Sequence, residues 1–408
     1  MLALRLVRGG RPLVQLRRLL VAAASAGTGF LLLCTLGYAL GHPGAATGAV
    51  ARLLWCAVPL AATVYFAVAV ARSDPGTQPR SGLSAVGLGP ARLTLLAAIS
   101  TAIACTLGSL LALLFFLHLR GDLSGLPFDG AARGLLAADH PLPLPATLTL
   151  LTFVPLIASG ASAVVLRPRK AAAPARGGGR YGGAPRAAEQ AAAEPEELFA
   201  EPVPAPAGLP WGVALLAAGL AVETYAARAG AGDGLRMPGG LGGSPSAVLA
   251  GWALTALGLA LAGPGLTYLT GWALQAVRPG AVRLLAGRVL QEEARRIGRP
   301  LGVVCAVASG AYAANVLYGH APASAPGLGP LTALGAVLVI GCTLATLLTA
   351  AAEARQARRH TAAALLRLGA PAVSLRAAAA LRAGALLLVF APLTWAVAEL
   401  SAIPLISR

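Results

Sequence analysis

The sequence predicts an all-α polytopic membrane protein with nine or ten transmembrane helices, arranged as two parallel repeats joined by a two-helix insert. The composition, the lengths of the apolar stretches and an internal repeat predict this fold. The 408 residues are 57% hydrophobic and only 12% charged, with a mean hydropathy of +0.74. Since soluble domains are typically about 25% charged, this composition argues against a soluble enzyme.

Nine apolar stretches are long enough to cross a bilayer. A helix needs about 20 apolar residues to cross about 30 Å of hydrocarbon, because its backbone polar groups must be satisfied within the segment. The first stretch is longer than the apolar region of a signal peptide and is therefore counted as a span. The stretches cover approximately residues 19–40, 50–71, 93–117, 144–166, 211–229, 247–270, 301–319, 329–351 and 378–402.

The basic residues predict the orientation of the chain. Cytoplasmic loops of membrane proteins carry an excess of Lys and Arg. With nine spans, 26 of the 32 basic residues fall on the face that holds the N-terminus. We therefore expect a cell-membrane protein with a cytoplasmic N-terminus. Its net charge of +17 then reports topology and attraction to anionic lipids rather than binding of nucleic acid.

A linker divides the chain into membrane units. Residues 167–209 are rich in Pro, Gly and Ala, a composition typical of flexible segments. They follow a first membrane repeat of four helices, residues 1–166. A two-helix insert, residues 210–275, and a second repeat of three helices, residues 276–408, come after them. The segments predicted on the outer face are too short to form an independent domain.

The two predicted repeats match one another at nearly constant offsets. At an offset of 280, Leu88, Gly89 and Leu95 match Leu368, Gly369 and Leu375. At an offset of 278, Arg5, Leu6, Gly9, Arg17 and Arg18 match Arg283, Leu284, Gly287, Arg295 and Arg296. Six spans separate the copies, so the repeats are expected to be parallel rather than inverted. The alternative is that Arg-rich segments before a span resemble one another by composition alone.

The segment 353–376 has the pattern of a cytoplasmic corner between two helices. Gly ends helices by adopting a positive φ, and Pro is favoured in the first turn of the next helix. The candidate corner residues are Arg358, Arg359, Arg367, Leu368, Gly369, Ala370 and Pro371. The corresponding corner of the first repeat contains Arg80, Gly87, Leu88, Gly89, Pro90 and Arg92. Each corner is either a docking element for a partner or a basic membrane anchor with a helix break.

The second corner carries a family resemblance. With Arg358-Arg359 followed by Leu366-Arg367-Leu368-Gly369-Ala370, it resembles the FtsX-like, or MacB-like, permeases of ABC transporters, whose domain has RR and then LRALGA before a membrane helix. Residues 284–302 are similar to the start of the second half of actinobacterial members. The resemblance covers residues 1–166 and 281–402 and is weaker in the first half, where Gly87 replaces the arginine of LRALGA. Typical two-domain members have ten spans and large outer domains, so this chain is expected to be shorter by one helix in its second repeat.

The resemblance implies the permease subunit of an ABC transporter or of an ATP-driven mechanotransmission complex. Its corners would receive the motion of a separate cytoplasmic ATPase. No G-x-x-x-x-G-K-[ST] motif occurs, and Lys170 is the single lysine. We therefore expect no enzymatic activity and no cofactor in this chain, with ATP bound by the partner. The other expected partners are the bilayer and a second permease copy, as in a homodimer.

Two alternatives come from other classes of protein. The first is a non-transporting membrane scaffold or sensor partner, and the second is a secondary carrier. A carrier is disfavoured because no span has a midplane acid with a basic partner. Glu223 and Glu399 lie toward the outer ends of their spans. They are expected to reach the interface by snorkelling, and a relay role is the less favoured alternative.

Cysteine and histidine patterns predict no further site. The cysteines lie within apolar runs, as expected of packing residues rather than a disulfide framework. These are Cys34, Cys56, Cys105, Cys305 and Cys342. The five histidines lack the spacing of metal ligands, so no metal site is expected.

Overall fold

The computed structural model describes residues 12–74, 90–123, 129–134, 136–167, 205–228, 246–276, 280–319 and 329–406. Within these ranges the protein consists of ten α-helices without a β-strand. The helices are α1 Pro12–Gly41, α2 Ala46–Ser73, α3 Pro90–Arg120, α4 Leu144–Leu166, α5 Leu209–Arg228, α6 Ser246–Ala276, α7 Ala281–Gly319, α8 Pro330–Ala357, α9 Arg359–Arg367 and α10 Ala372–Ile406. The predicted all-α class is confirmed.

Eight candidate membrane spans occur among the described residues, in α1 to α4, α6 to α8 and α10. They overlap eight of the predicted stretches. The remaining stretch, 211–229, lies in α5, which contains the shorter apolar segment Leu209–Tyr225. Large apolar side chains stay exposed on the outer surfaces, including Leu156 at 67% and Leu388 at 79%. Such exposure fits a surface that is covered by lipid, and the chain is a multi-pass membrane protein.

The first four helices form a bundle around α1. Helix α1 packs against α2, α3 and α4, and the core contains Leu33 of α1, Phe66 of α2 and Phe116 of α3. A methyl group on Gly108 would collide with the backbone carbonyl of Ala22. Close backbone approach at small residues is a main source of helix association in membranes, since lipid and protein interior are similarly apolar.

Helices α5, α6, α7 and α10 form a second bundle. Helix α6 packs between α5 and α7, and α10 packs mainly on α7. Gly258 brings α6 against the backbone of α5, where an added Cβ would lie 2.5 Å from the Leu216 nitrogen. On the opposite side, an added Cβ on Gly298 of α7 would lie 2.5 Å from the Cα of Pro264. Glycines therefore allow close contact on both faces of α6.

Helix α8 joins the two bundles. It packs against α1 and α2 on one side and against α7 on the other. Its Cys342 belongs to the core of the first bundle, with the Sγ atom 3.9 Å from Oγ1 of Thr63 in α2. Further along the same helices, the Ser73 side chain of α2 interacts with Glu353 of α8. Because both contacts advance in the same direction along the two helices, α2 and α8 are parallel.

All five cysteines are buried and form no disulfide. Cys105 and Cys342 share one hydrophobic cluster, and Cys34, Cys56 and Cys305 each lie in another. A buried cysteine without a partner behaves as a small apolar residue. The prediction that these residues serve packing is confirmed.

Candidate functional site

The end of α9 forms the sharp turn between α8 and α10. Gly369 has a φ of +88°. Its amide donates to the Leu366 carbonyl at 3.1 Å, and the Ala370 amide donates to the Leu365 carbonyl at 3.0 Å. These two bonds define a Schellman motif, which requires a residue that tolerates a positive φ. Glycine at this position therefore ends the helix as its place in the sequence predicts.

Pro371 directly precedes the next helix, α10. Its carbonyl accepts hydrogen bonds from the Ser374 amide at 3.0 Å and from the Ser374 hydroxyl at 2.7 Å. Proline itself has no N–H that would need a partner at this position. The segment from Arg358 to Val373 thus consists of α9, a turn and the start of α10. We call this segment the α9 corner.

The tip of the α9 corner is apolar and its rim is basic. The exposed fraction is 84% for Leu368, 48% for Leu366 and 74% for Val373. Arg359 and Arg367 are exposed beside them, and the contacts of α9 with other helices are mainly with α8. Exposed apolar side chains bordered by charge are typical of a surface that contacts a partner protein or the membrane interface.

Arg358 has a different environment from the other two corner arginines. Its Nη1 donates to Oε2 of Glu293 in α7 at 2.5 Å, and the Glu293 side chain is only 10% exposed. The charge of Arg382 in α10 also acts on this carboxylate. Arg358 therefore anchors the start of α9 to α7 instead of extending from the tip.

Further charges lie at the adjoining ends of the two bundles. Glu353 on α8 is under the influence of Arg17 of α1, Arg72 of α2 and Arg296 of α7. In the first bundle, Nη2 of Arg18 lies 2.5 Å from the carboxylate of Asp74. We call these residues, together with Arg358, Glu293 and Arg382, the charge layer. It connects the ends of α1, α2, α7, α8 and α10 close to the α9 corner.

A cavity of about 20 Å³ adjoins the Arg18–Asp74 pair. Val21, Ala67, Ser100 and Thr101 contribute to its lining. This volume accommodates about one water molecule. The cavity is large enough for one water molecule beside the ion pair and too small for a larger ligand.

Most of the first-repeat corner lies outside the described residues. This applies to Arg80, Gly87, Leu88 and Gly89. Pro90 is the first residue of α3, and Arg92 lies exposed in its first turn. Helix α3 thus begins at a proline, as α10 begins next to Pro371.

The acidic partners of Arg18 and Arg358 were not predicted from the sequence. Glu293 and Asp74 lie in segments where basic residues predominate, and both are buried at 8% exposure. A buried carboxylate needs a partner, because desolvation of an isolated charge is costly. An acidic residue within a basic segment is therefore the sequence feature that could have indicated these ion pairs.

The prediction for Glu223 is wrong. Its side chain does not reach the interface and is 0% exposed. The Thr255 hydroxyl of α6 donates to its Oε1 at 2.9 Å. Glu399 accepts a hydrogen bond from the Tyr312 hydroxyl at 2.7 Å in an exposed position. A short side chain near a helix end snorkels only where no neighbouring helix covers it.

Comparison of the chain with protein-family models, curated proteins and solved structures found no match. The functional proposal therefore depends on the residues and contacts described above.

Proposed function

We propose that the protein is the permease subunit of an ABC transporter or ATP-driven mechanotransmission complex in the cell membrane. The α9 corner is the observation that carries this proposal. Its exposed Leu368 and basic rim suit a groove on a cytoplasmic ATPase. The bond between Arg358 and Glu293 would transmit movement of the corner to α7. ATP is bound and hydrolysed by the partner.

Helix lengths and packing support two parallel FtsX-like repeats. Helices α2 and α8 are both 28 residues long. Helix α1 packs against α2 and α3, as α7 packs against α8 and α10. The equivalent helices α2 and α8 also contact one another, as expected near a two-fold axis.

The parallel packing of α2 and α8 also supports nine spans. Successive membrane crossings run in opposite directions. If α5 did not cross, α8 would be the fifth crossing after α2, and the two helices would be antiparallel. If α5 crosses as well, α2 and α8 are parallel. This agrees with the contact of Thr63 with Cys342 and the interaction of Ser73 with Glu353. The 20 residues of α5 extend over about 30 Å, which matches the hydrocarbon thickness. With the basic residues inside, the N-terminus is cytoplasmic.

Co-purification of an ATPase with the tagged, full-length protein from its own host tests the proposal. We expect an ABC ATPase to accompany the wild type in mild detergent and to be stimulated in proteoliposomes. Leu368→Asp, and separately Arg367→Glu with Gly369→Pro, should reduce association at least about tenfold, as for loss of an interface hot spot. Arg288→Glu is the matched control, because Arg288 is an exposed arginine of α7 outside the corner.

The outcomes distinguish the alternatives. Absence of an ATPase from the wild-type complex would refute the permease assignment. An ATPase that binds without stimulation would favour a scaffold or sensor. Unchanged association of both corner variants would refute the role of the α9 corner. Gradient-driven uptake without any ATPase would favour a secondary carrier.

A further inference from the structure

Glu223 occupies a site that α5, α6 and α10 build together. The carboxyl lies in the last third of α5, which faces the outer side in the proposed topology. Its Oε1 accepts the hydrogen bond from Thr255 of α6, and the side chain of Ser401 in α10 interacts with the same carboxyl. Thr255 and Ser401 are themselves 5% and 6% exposed. Three helices therefore place polar groups at one enclosed point.

Glycine provides the space for this carboxyl. An added Cβ on Gly251 of α6 would lie 2.5 Å from Cγ of Glu223. An added Cβ on Gly219, one turn earlier on α5, would lie 2.6 Å from the Thr255 nitrogen. Any larger residue at these positions would displace the side chain of Glu223 or separate the helices. The absence of a side chain at Gly251 therefore leaves the space between α5 and α6 that the Glu223 side chain occupies.

Among the described side chains, no cation pairs with the Glu223 carboxyl. The described part of α6 contains no charged residue. On α10, Arg376 and Arg382 lie near its opposite end, and Glu399 adds a further acid whose oxygen accepts from Tyr312. Among the described residues, Oε2 of Glu223 has no hydrogen-bond partner although it is buried. An isolated carboxylate in such surroundings would be strongly destabilised.

We propose that Glu223 is a proton-binding site within the membrane. The carboxylate takes one proton from the outer aqueous phase and becomes a neutral carboxylic acid. The proton resides on Oε2, which has no hydrogen-bond partner among the described residues, while Oε1 continues to accept from Thr255. The protonated form holds α5 to α6 and α10. Release of the proton leaves a buried negative charge and loosens these three helices.

Infrared spectroscopy of the full-length protein in lipid nanodiscs tests the proposal. The carbonyl stretch of a protonated carboxylic acid is separate from the bands of carboxylates. We expect a band at neutral pH that is lost in Glu223→Gln and retained in Glu399→Gln. If the wild-type and Glu223→Gln spectra are identical in this region, Glu223 is ionised and the proposal is wrong.

Thermal stability provides a second measurement that does not depend on the spectrum. Ionisation of Glu223 weakens the folded state, so the melting temperature of the wild type should fall as the pH rises from neutral to alkaline. Glu223→Gln mimics the neutral acid and should reduce this fall, whereas Glu399→Gln should follow the wild type. Equal pH dependence in the wild type and Glu223→Gln would contradict the proposal. Neither measurement requires the ATPase, so the permease assignment is tested separately.

Discussion

At the scale of single residues, the partner of an arginine decides its role. The candidate corner contains three arginines, Arg358, Arg359 and Arg367. Of these three, only Arg358 is paired with a buried acid. Removal of one member of such a pair leaves the other charge without compensation, which costs more than the pair itself contributes. Arg358 is therefore expected to matter for stability, and Arg359 and Arg367 for contacts with a partner.

Neutralisation of Glu293 tests this difference. Glu293→Gln or Arg358→Gln should lower the free energy of unfolding by roughly 1 to 3 kcal/mol, because each removes the directly bonded partner of the other charge. The measurement is thermal or denaturant unfolding in detergent. Arg359→Gln is the matched control and should have little effect. The double variant Arg358→Glu with Glu293→Arg should recover part of the loss, and failure of both single changes to destabilise would contradict the pairing.

At the scale of elements, glycine spacing determines which faces of α6 can approach other helices. Gly251, Gly258 and Gly265 recur every seven residues and lie against α5. Gly263 and Gly271 lie on the opposite side, against α7. Intervals of seven and of eight residues both correspond to about two helical turns, so each set shares one face. The hairpin of α5 and α6 is therefore joined to α7 by backbone contact.

Gly258→Ala tests the contact between α5 and α6. An added methyl group would lie 2.5 Å from the Leu216 nitrogen, so the helices must separate. We expect a loss of about 1 to 3 kcal/mol in the free energy of unfolding, as for overpacked cores. Gly341→Ala on α8 is the control, since no atom lies within 4 Å of an added Cβ there. The control should be neutral or slightly stabilising, because Ala favours helix. Equal effects of the two changes would refute the close contact.

At the scale of the whole molecule, α8 relates the two halves. It follows α7 in the chain but contributes Cys342 to the core of the first bundle. The charge layer adds electrostatic interactions of Glu353 with arginines of α1, α2 and α7. Movement at the α9 corner would therefore act on both bundles. The parallel direction of α8 and α2 is the observation that supports the proposed nine crossings.

Cysteine labelling tests this topology. In a cysteine-free background, Gly239→Cys should react with a membrane-impermeant maleimide added from outside, because it follows α5. Gln190→Cys in the linker should react only after the membrane is permeabilised. The measurement is labelling of intact cells against lysed cells. Reaction of both positions from the same side would show that α5 does not cross, and the nine-span topology would then be wrong.

Part of the fold and of the candidate site was predictable from local pattern. Long apolar stretches predicted the membrane helices, and Gly369 with Pro371 predicted the turn after α9. These features depend on neighbouring residues, since hydrogen bonding within a helix and the φ preference of glycine are local. The burial of Glu223 was not predictable, because it depends on Gly251, Thr255 and Ser401, which come from other helices.

The membrane class and the location of the helices follow from the sequence alone, because the bilayer requires apolar helices of sufficient length. Tertiary structure was needed for every pairing between distant residues. It separates Arg358, bound to Glu293, from the exposed Arg359, and it places α8 parallel to α2. Hydropathy is set by each residue and its neighbours in the chain, whereas the partner of a buried charge is set by which helix faces meet.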